Sequence, residues 1–370
     1  MRVLPFLLLP LPFASMLPTD AVAAIQRDEL AGSRALSIVR SLCDEVGPRP
    51  AGSPGDRAAV SWAARTMHDL GLSNVRAESV RVTHWERGEG RADVVSPVAQ
   101  SLVVTALGGS VGTPAAGVTA EVVEAASVEE LVKLGRDAVR GKMVFLDPVM
   151  RRTRDGAGYG EAVRSRFVGA REAAKLGAVA LLLRSVGTDH DRLPHTGAKA
   201  KDDHEIPAAA ISVPDAEMLH RLLVEKKSVR VHLVLGAHAM PDAESANVVG
   251  EVLGREKPAE IVLLGAHLDS WDLGTGAVDD GAGVAIVLEA ARLLQALPRK
   301  PRRTVRVVLF ANEEHGLQGA REYARVHAAE AGAHVVAFEA DLGADEVYAV
   351  RWLGDPAARE RFVDLARLLA

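Results

Sequence analysis

An α/β fold, with a largely parallel mixed sheet between helices and a β-rich insert, is predicted by three features of the sequence. Short apolar runs alternate with amphipathic stretches on both flanks of the chain. From about residue 100 to 240 many short β-rich runs, separated by Gly- and Pro-bearing turns, interrupt that alternation. Finally, three apolar runs of the second half end in acidic or imidazole residues, where open α/β sheets place their ligands.

Composition sets the outer limits. The 370 residues are 48% hydrophobic and 25% charged, which suits a globular chain of about two domains. Forty-four basic residues against 49 acidic ones give a net charge of -5 with no long basic run, so nucleic acid is excluded as a partner.

The opening "MRVLPFLLLPLPFASMLPTDAVAA" has one early positive charge, Arg2, an apolar stretch to Phe13 and a small-residue ending. It reads as a signal peptide over residues 1–24, cleaved after Ala23 or Ala24. Pro5, Pro10, Pro12 and Pro18 interrupt a stretch well short of the roughly 20 residues a spanning helix needs, so no membrane partner is expected after cleavage. The expected location is secreted or periplasmic. Cys43, the single cysteine, lies in the apolar-periodic "ALSIVRSLCDEV" and is expected in the core as a small hydrophobe.

Residues 25–46 read as one amphipathic helix, and "GPRPAGSP" (47–54) as a loop. A second helix follows, with Ala58, Ala59, Trp62, Ala63, Met67 and Leu70 at helical spacing, and then a strand from Asn74 to about Pro97. The β-rich region carries "SLVVTAL", "TAEVVEA", "GKMVFLD", "AVALLLRS", "IPAAAISV" and "VRVHLVLGA", with two helix-like pieces, "AVRSRFVGAREAAKLG" and "PDAEMLHRLLVEKK". From Asn247 buried strands are expected at 261–266, 305–311 and 335–340, with helices at 282–297 and after Gly316.

Those three strands end in His267, in Asn312-Glu313-Glu314-His315 and in Asp341. Several carboxylates held together repel one another and need a cation, and His, Asp and Glu without Cys suit zinc or a similar divalent metal. Asp279 or Asp280, at the "AVDDGAG" turn, is placed to bridge two metals. Asp269, two residues beyond His267, is placed to orient the imidazole. One of Glu313 and Glu314 can bind metal while the other accepts a proton.

"GAHLDSWDLGTGAVDDGAGVA", "VLFANEEHGLQGA" and "AFEADLG" resemble the metal-binding segments of the co-catalytic zinc exopeptidases of peptidase family 28, most closely its carboxypeptidase Q branch. "GPRPAGSP" resembles that family's N-terminal segment, and residues 115–240 resemble its inserted protease-associated domain. The resemblance implies a peptidase domain at 25–114 and 241–370. It makes His267 a ligand of one zinc, Asp279 the ligand bridging two zincs, Glu314 a ligand of the other and Asp341 a ligand sharing a metal with His267, Glu339 being the alternative. Glu313 becomes the general base, Asp269 the partner of His267, and Asp280 follows a cis peptide. The implied chemistry is hydrolysis of small peptides by a hydroxide bridging the two metals, and a homodimer is the expected assembly. The family completes its second metal site with a histidine near the C-terminus. Residues 342–370 hold none, which suggests a C-terminally truncated chain with one tight zinc and little activity.

His315 and His334 are the available replacements, both more simply turn or surface residues. The stretch 189–205, rich in His and Asp, reads as a solvated loop that could overhang the site. Two other functions remain open: a peptidase-fold binding protein without catalysis, and a single-zinc acyltransferase resembling glutaminyl cyclase.

Overall fold

The protein is described here by a computed structural model covering residues 19–225, 228–341, 343, 352–356, 359, 360 and 363. Most of the expected signal peptide (1–18) and almost all of the expected terminal helix (358–370) lie outside the described residues.

The helix expected over 25–46 is divided. Helices α1 (Thr19–Gly32) and α2 (Ala35–Ser41) are followed by a wide turn at Leu42–Val46. Gly32-Ser33 is a weak helix-forming pair, and the Arg34 amide leaves the ladder to donate to Glu289 Oε1 at 3.1 Å. Cys43 is half-buried, not a core residue, with its sulfur 3.7 Å from Thr275 O. Helix α3 (Pro54–Asp69) starts where Ser53 Oγ accepts from the Asp56 amide, with Pro54 as its first residue. Its buried stripe of Ala59, Trp62, Ala63 and Met67 follows the expected spacing.

Strand β1 (Ser73–Glu86) is followed by β2 (Gly90–Ser96), β3 (Gln100–Leu102), β4 (Val104–Ala106), β5 (Val118–Ala125), α4 (Val128–Val139), β6 (Met143–Leu146), α5 (Ala157–Lys175), β7 (Ala180–Arg184), β8 (Ala208–Ile211), α6 (Val213–Val224) and β9 (Arg230–Leu235). Eight of these strands form one sheet in the order β3-β2-β9-β5-β6-β7-β8-β4. Strands β2, β3 and β4 therefore pair within the insert's sheet, which starts at Gly90 and not near 115. The run expected as one strand over 74–97 turns at Gly88, leaving β1 in one sheet and β2 in the other. Helix α4 is an element the strand-dense reading passed over. Its signal was Ser127-x-x-Glu130: Ser127 Oγ accepts from the Glu130 amide, and Glu130 Oε2 from the Ala126 amide. Parallel pairing of β5, β6, β7 and β8, with α4, α5 and α6 alongside, makes the insert itself α/β.

The chain then returns through β10 (His238–Val252), β11 (Lys257–His267), α7 (Gly283–Ala296), β12 (Arg303–Phe310), α8 (Gln318–Val326) and β13 (His334–Glu339). The second sheet has the order β1-β10-β12-β11-β13. It is mixed, and its parallel character is confined to β12-β11-β13, since β1, β10 and β12 run antiparallel. Val248, Val252, Val305, Val307 and Leu309 of this sheet pack with Trp62, Met67, Val284 and Leu288 of α3 and α7. Strand β13, expected to be buried, is largely exposed, because among the described residues only β11 pairs with it.

Candidate metal centre

Register brings the acidic groups together. His267 pairs with Phe310 at the ends of parallel β11 and β12, and Gly265 pairs with Glu339 on β13. The Leu268 amide donates to Phe310 O at 2.7 Å and the Ala340 amide to Gly265 O at 3.0 Å. Three chain segments thus leave the sheet side by side, as the carboxyl ends of parallel strands must. The fourth segment is the turn into α7, where the Asp279-Asp280 peptide is cis. A Cβ on Gly283 would stand 1.9 Å from Ala340 O and 2.1 Å from Asp280 Oδ1, so glycine is what lets α7 begin against the end of β13.

His267 is buried at the centre. Its Nε2 lies 3.0 Å from Asp279 Oδ1 and 3.3 Å from Asp341 Oδ1. Its Nδ1 lies 3.1 Å from the backbone oxygen of Asp269 and 3.5 Å from Asp269 Oδ1. With Nδ1 directed at that backbone oxygen, Nε2 is the ring nitrogen that faces the two carboxylates. The Asp269 carboxylate accepts from the amides of Glu313 (2.9 Å) and Glu314 (3.3 Å), so this residue ties the end of β11 to the glutamate turn as well as holding the imidazole. Asp280 turns inward, accepting from the His267 and Gly283 amides at 2.9 and 3.0 Å, whereas Asp279 is exposed. Two groups of donors, His267 with Asp279 and Glu314 and His267 with Asp280 and Asp341, each lie within 4.8 Å of one another. Asp341, and not Glu339, makes the ion pair with His267.

Too few cations stand near these acids. Burial pushes the Glu314 carboxyl up to about 9, and Asp279, Asp269 and Glu313 add to it against His267. Burial likewise lifts Glu313 to about 7 and Asp280 to about 8. His267, which burial alone would push down, is raised by its contacts with Asp269, Asp279 and Asp341. Glu314 Oε1 is buried without a hydrogen-bond partner. An orphaned carboxylate oxygen beside an imidazole nitrogen and further carboxylates, with no sulfur, is a donor set that fits zinc.

Among the described residues the fully buried cation beside these acids is Arg49 of "GPRPAGSP", to which the sequence gave no role. It is fully buried and donates to Leu268 O (2.6 Å), Thr275 O (2.5 Å) and Gly276 O (2.9 Å), lacing the loop between β11 and Asp279. Burial lowers its pKa, opposed by the nearby Cys43, Asp269, Asp280 and Asp279. Arg87 is also new: it pairs with Asp272 at 2.6 Å and lies over the rings of Trp85 and Trp271. His315 packs against those two rings, and His334 lies 2.9 Å from Tyr323 Oη and 3.1 Å from Glu330 O; neither joins a donor group. Among the described residues the stretch 189–205 forms no donor group either. The third group that does form, Glu124, Asp147 and His220, lies in the insert.

Comparison with known proteins gives this geometry its family. Residues 247–368 match the model of "Peptidase family M28". The chain is 40% identical over 330 residues to carboxypeptidase Q of Mus musculus, covering 89% of this chain and 69% of that protein. The crystal structure of a peptidase M28 precursor from Shewanella amazonensis SB2B superposes with a TM-score of 0.90 at 45% identity, over 94% of this chain and 78% of that one. BSAP, a zinc aminopeptidase from Bacillus subtilis, shares the fold at a TM-score of 0.61 and 24% identity, over 84% and 68% of the two chains. A mixed α/β fold with converging acidic strand ends, and these kinships, lead to one conclusion: this chain belongs to peptidase family M28, as an enzyme of the metallo-exopeptidase class.

Proposed function

We propose that the protein is an exported zinc-dependent exopeptidase or dipeptidase acting on small peptides. His267, Asp279 and Asp341 would hold one zinc, and Asp279 and Glu314 would face a second. Asp279, from the turn into α7, and Asp341, from the end of β13, meet at His267 Nε2 while Glu314 Oε1 is buried without a partner, and this convergence is what supports the reading. Zinc, when bound, lowers the pKa of its water toward neutrality and polarises the scissile carbonyl.

The remaining work falls to the chain. Asp269 holds His267 in the tautomer that presents Nε2 and fixes the glutamate turn through two backbone amides. Glu313, with its carboxyl lifted toward neutral pH by burial, takes a proton from the attacking water and returns it to the leaving amine. Asp280 stays inside, bracing the end of β11 against α7. No helix among the described residues is long and apolar enough to cross a membrane, and export is proposed on the N-terminal sequence.

The deciding experiment is Glu313→Gln. Metal content by atomic absorption should stay within experimental scatter of the parent, while dipeptide turnover falls on the order of a hundredfold or more. Parallel loss of metal and turnover would overturn the general-base role.

A further inference from the structure

We propose that Arg87 is a positioning residue of the metal centre: it fastens the loop carrying Asp269 and Asp279 to the insert, so that zinc affinity depends on how the insert is seated, an inference that rests on the zinc reading above. Arg87 sits where the chain crosses from β1 to β2. Its neighbour Gly88 has φ 61°, and a Cβ there would stand 2.5 Å from Gly236 O. The two crossings between the sheets therefore run in contact, joined by the Gly236 amide to Glu89 O at 2.7 Å. The buried Arg87 guanidinium reaches both sides. Toward the metal-centre loop, Nε and Nη2 donate to Asp272 Oδ2 and Oδ1 at 2.9 and 2.6 Å. Toward the insert, Nη1 donates to Ala106 O and, at 3.2 Å, to Thr196 Oγ1. A two-point contact on a carboxylate fixes direction as well as distance.

The loop needs such a fastening. From Leu268 to Gly276 it runs as irregular backbone, and Leu273, Gly274, Thr275, Ala277 and Val278 are exposed. Arg49 holds its far end, at Thr275 O and Gly276 O, whereas Arg87 holds its near half at Asp272. Trp271, beside Asp272, fills the space that a side chain on Gly108 of the insert would take, a Cβ there standing 2.0 Å from its ring. It packs against the insert's apolar core, to which Trp85 also belongs. Trp85 Nε1 donates to Ser110 O at 2.8 Å, so the indoles of both flanking segments are keyed into the insert.

The same cluster reaches the glutamate turn. The ring of His315, the residue after Glu314, lies 4.7 Å from that of Trp271 and 5.8 Å from that of Trp85, and Arg87 lies over the two indoles at 5.4 and 5.0 Å. Arg87 thus bears on both segments that Asp269 ties together through the Glu313 and Glu314 amides. Packing alone does not pin these rings, because a cavity of about 190 Å³ lies beside them, lined by Trp85, Arg87, Trp271, Asp272 and His315 among others. A loop held in place beforehand leaves less ordering for the metal to impose, and groups that orient metal ligands account for about 10- to 100-fold in affinity.

The test is the zinc affinity of the full chain, read by competition with a chromophoric chelator. Arg87→Ala should weaken it about tenfold or more, although Arg87 belongs to no donor group. Arg87→Lys should recover part of the loss, since an ammonium pairs with Asp272 without the planar fork that spans to Ala106 O and Thr196 Oγ1. Asp272→Asn, which keeps the shape of the contact and removes its charge, should weaken zinc by roughly threefold or more. Leu131→Ala, in the core on the insert's other face, should lower the thermal midpoint yet leave zinc affinity at the parent value, because it loosens the insert away from the seam. Parent-like affinity in Arg87→Ala, or in Asp272→Asn should the alanine variant not fold, overturns the proposal, as does an equal loss in Leu131→Ala. A parent chain that takes up no zinc overturns instead the zinc reading on which the proposal stands.

Discussion

The two sheets treat charge in opposite ways. At the carboxyl ends of β11, β12 and β13, Asp269, Asp279, Asp280, Glu313, Glu314 and Asp341 crowd around one imidazole and one buried guanidinium. In the insert the acids near the strand ends have cations to hand: Asp147, just after β6, and Glu217, on α6, with Arg184, Asp215 at the start of α6 with Arg192, and Glu205, ahead of β8, with Lys199. Removing one partner of a buried pair such as Arg184 with Asp147 is costly, whereas Asp280, Glu313 and Glu314 of the other sheet, raised by burial, are tolerable only partly protonated or beside a metal. Strand ends alone therefore do not make a centre; an excess of one sign does.

The strongest way to break this contrast is at His267. Zinc held at this centre should depend on His267, because that residue belongs to both donor groups the described residues form at the strand ends. His267→Ala should lose that zinc altogether on dialysis, measured by atomic absorption. Retention of full zinc by the variant would end the assignment.

Next in size is the independence of the insert. The eight-stranded sheet has its own cores, centred on Phe145, Leu182 and Leu233 on one face and Leu131, Leu146 and Leu181 on the other. Expressed alone, residues 88–237 should unfold cooperatively in urea, a sloping non-cooperative signal counting against that boundary.

A smaller effect is expected from pH. In chelator-treated protein the carboxyls of Glu313 (about 7), Asp280 (about 8) and Glu314 (about 9), and the raised His267, all hold protons more tightly folded than unfolded. Their stabilisation is complete below the ordinary carboxyl range and is lost as pH rises through those values. The thermal midpoint should thus fall by roughly a few degrees from pH 7 to 9. Added zinc should reverse the slope, because its ligands must be deprotonated. A midpoint that climbs with pH in the chelated protein would contradict the buried-acid account. The smallest change is expected at the insert's own donor group: His220→Ala should leave zinc content unaltered, since Asp147 already pairs with Arg184 and His220 with Glu124. Loss of one zinc would show that pairing does not exclude metal there.

Much of the centre was legible because its chemistry is local. His267, Asp279, Asp280, Glu313 and Glu314 sit in short runs whose position after apolar segments places them at strand ends, and parallel strands bring such ends together. The same reasoning erred where neighbours in space decide. Residues 90–97 read as a continuation of the first strand, yet β2 pairs with β9, more than a hundred residues downstream. Strand β13 has a buried strand's composition and an edge strand's exposure.

The sequence by itself determined the alternation of strands and helices and the crowding of acidic residues after them, since periodicity and residue type are properties of short segments. Tertiary structure alone decided the rest. It set Asp341, and not Glu339, in an ion pair with His267, just beyond the bond from the Ala340 amide to Gly265 O. It gave the Asp269 carboxylate to the glutamate turn and buried Arg49 among backbone oxygens. Whether a charge is matched depends on what the fold brings within hydrogen-bonding distance, and spacing along the chain carries no record of that.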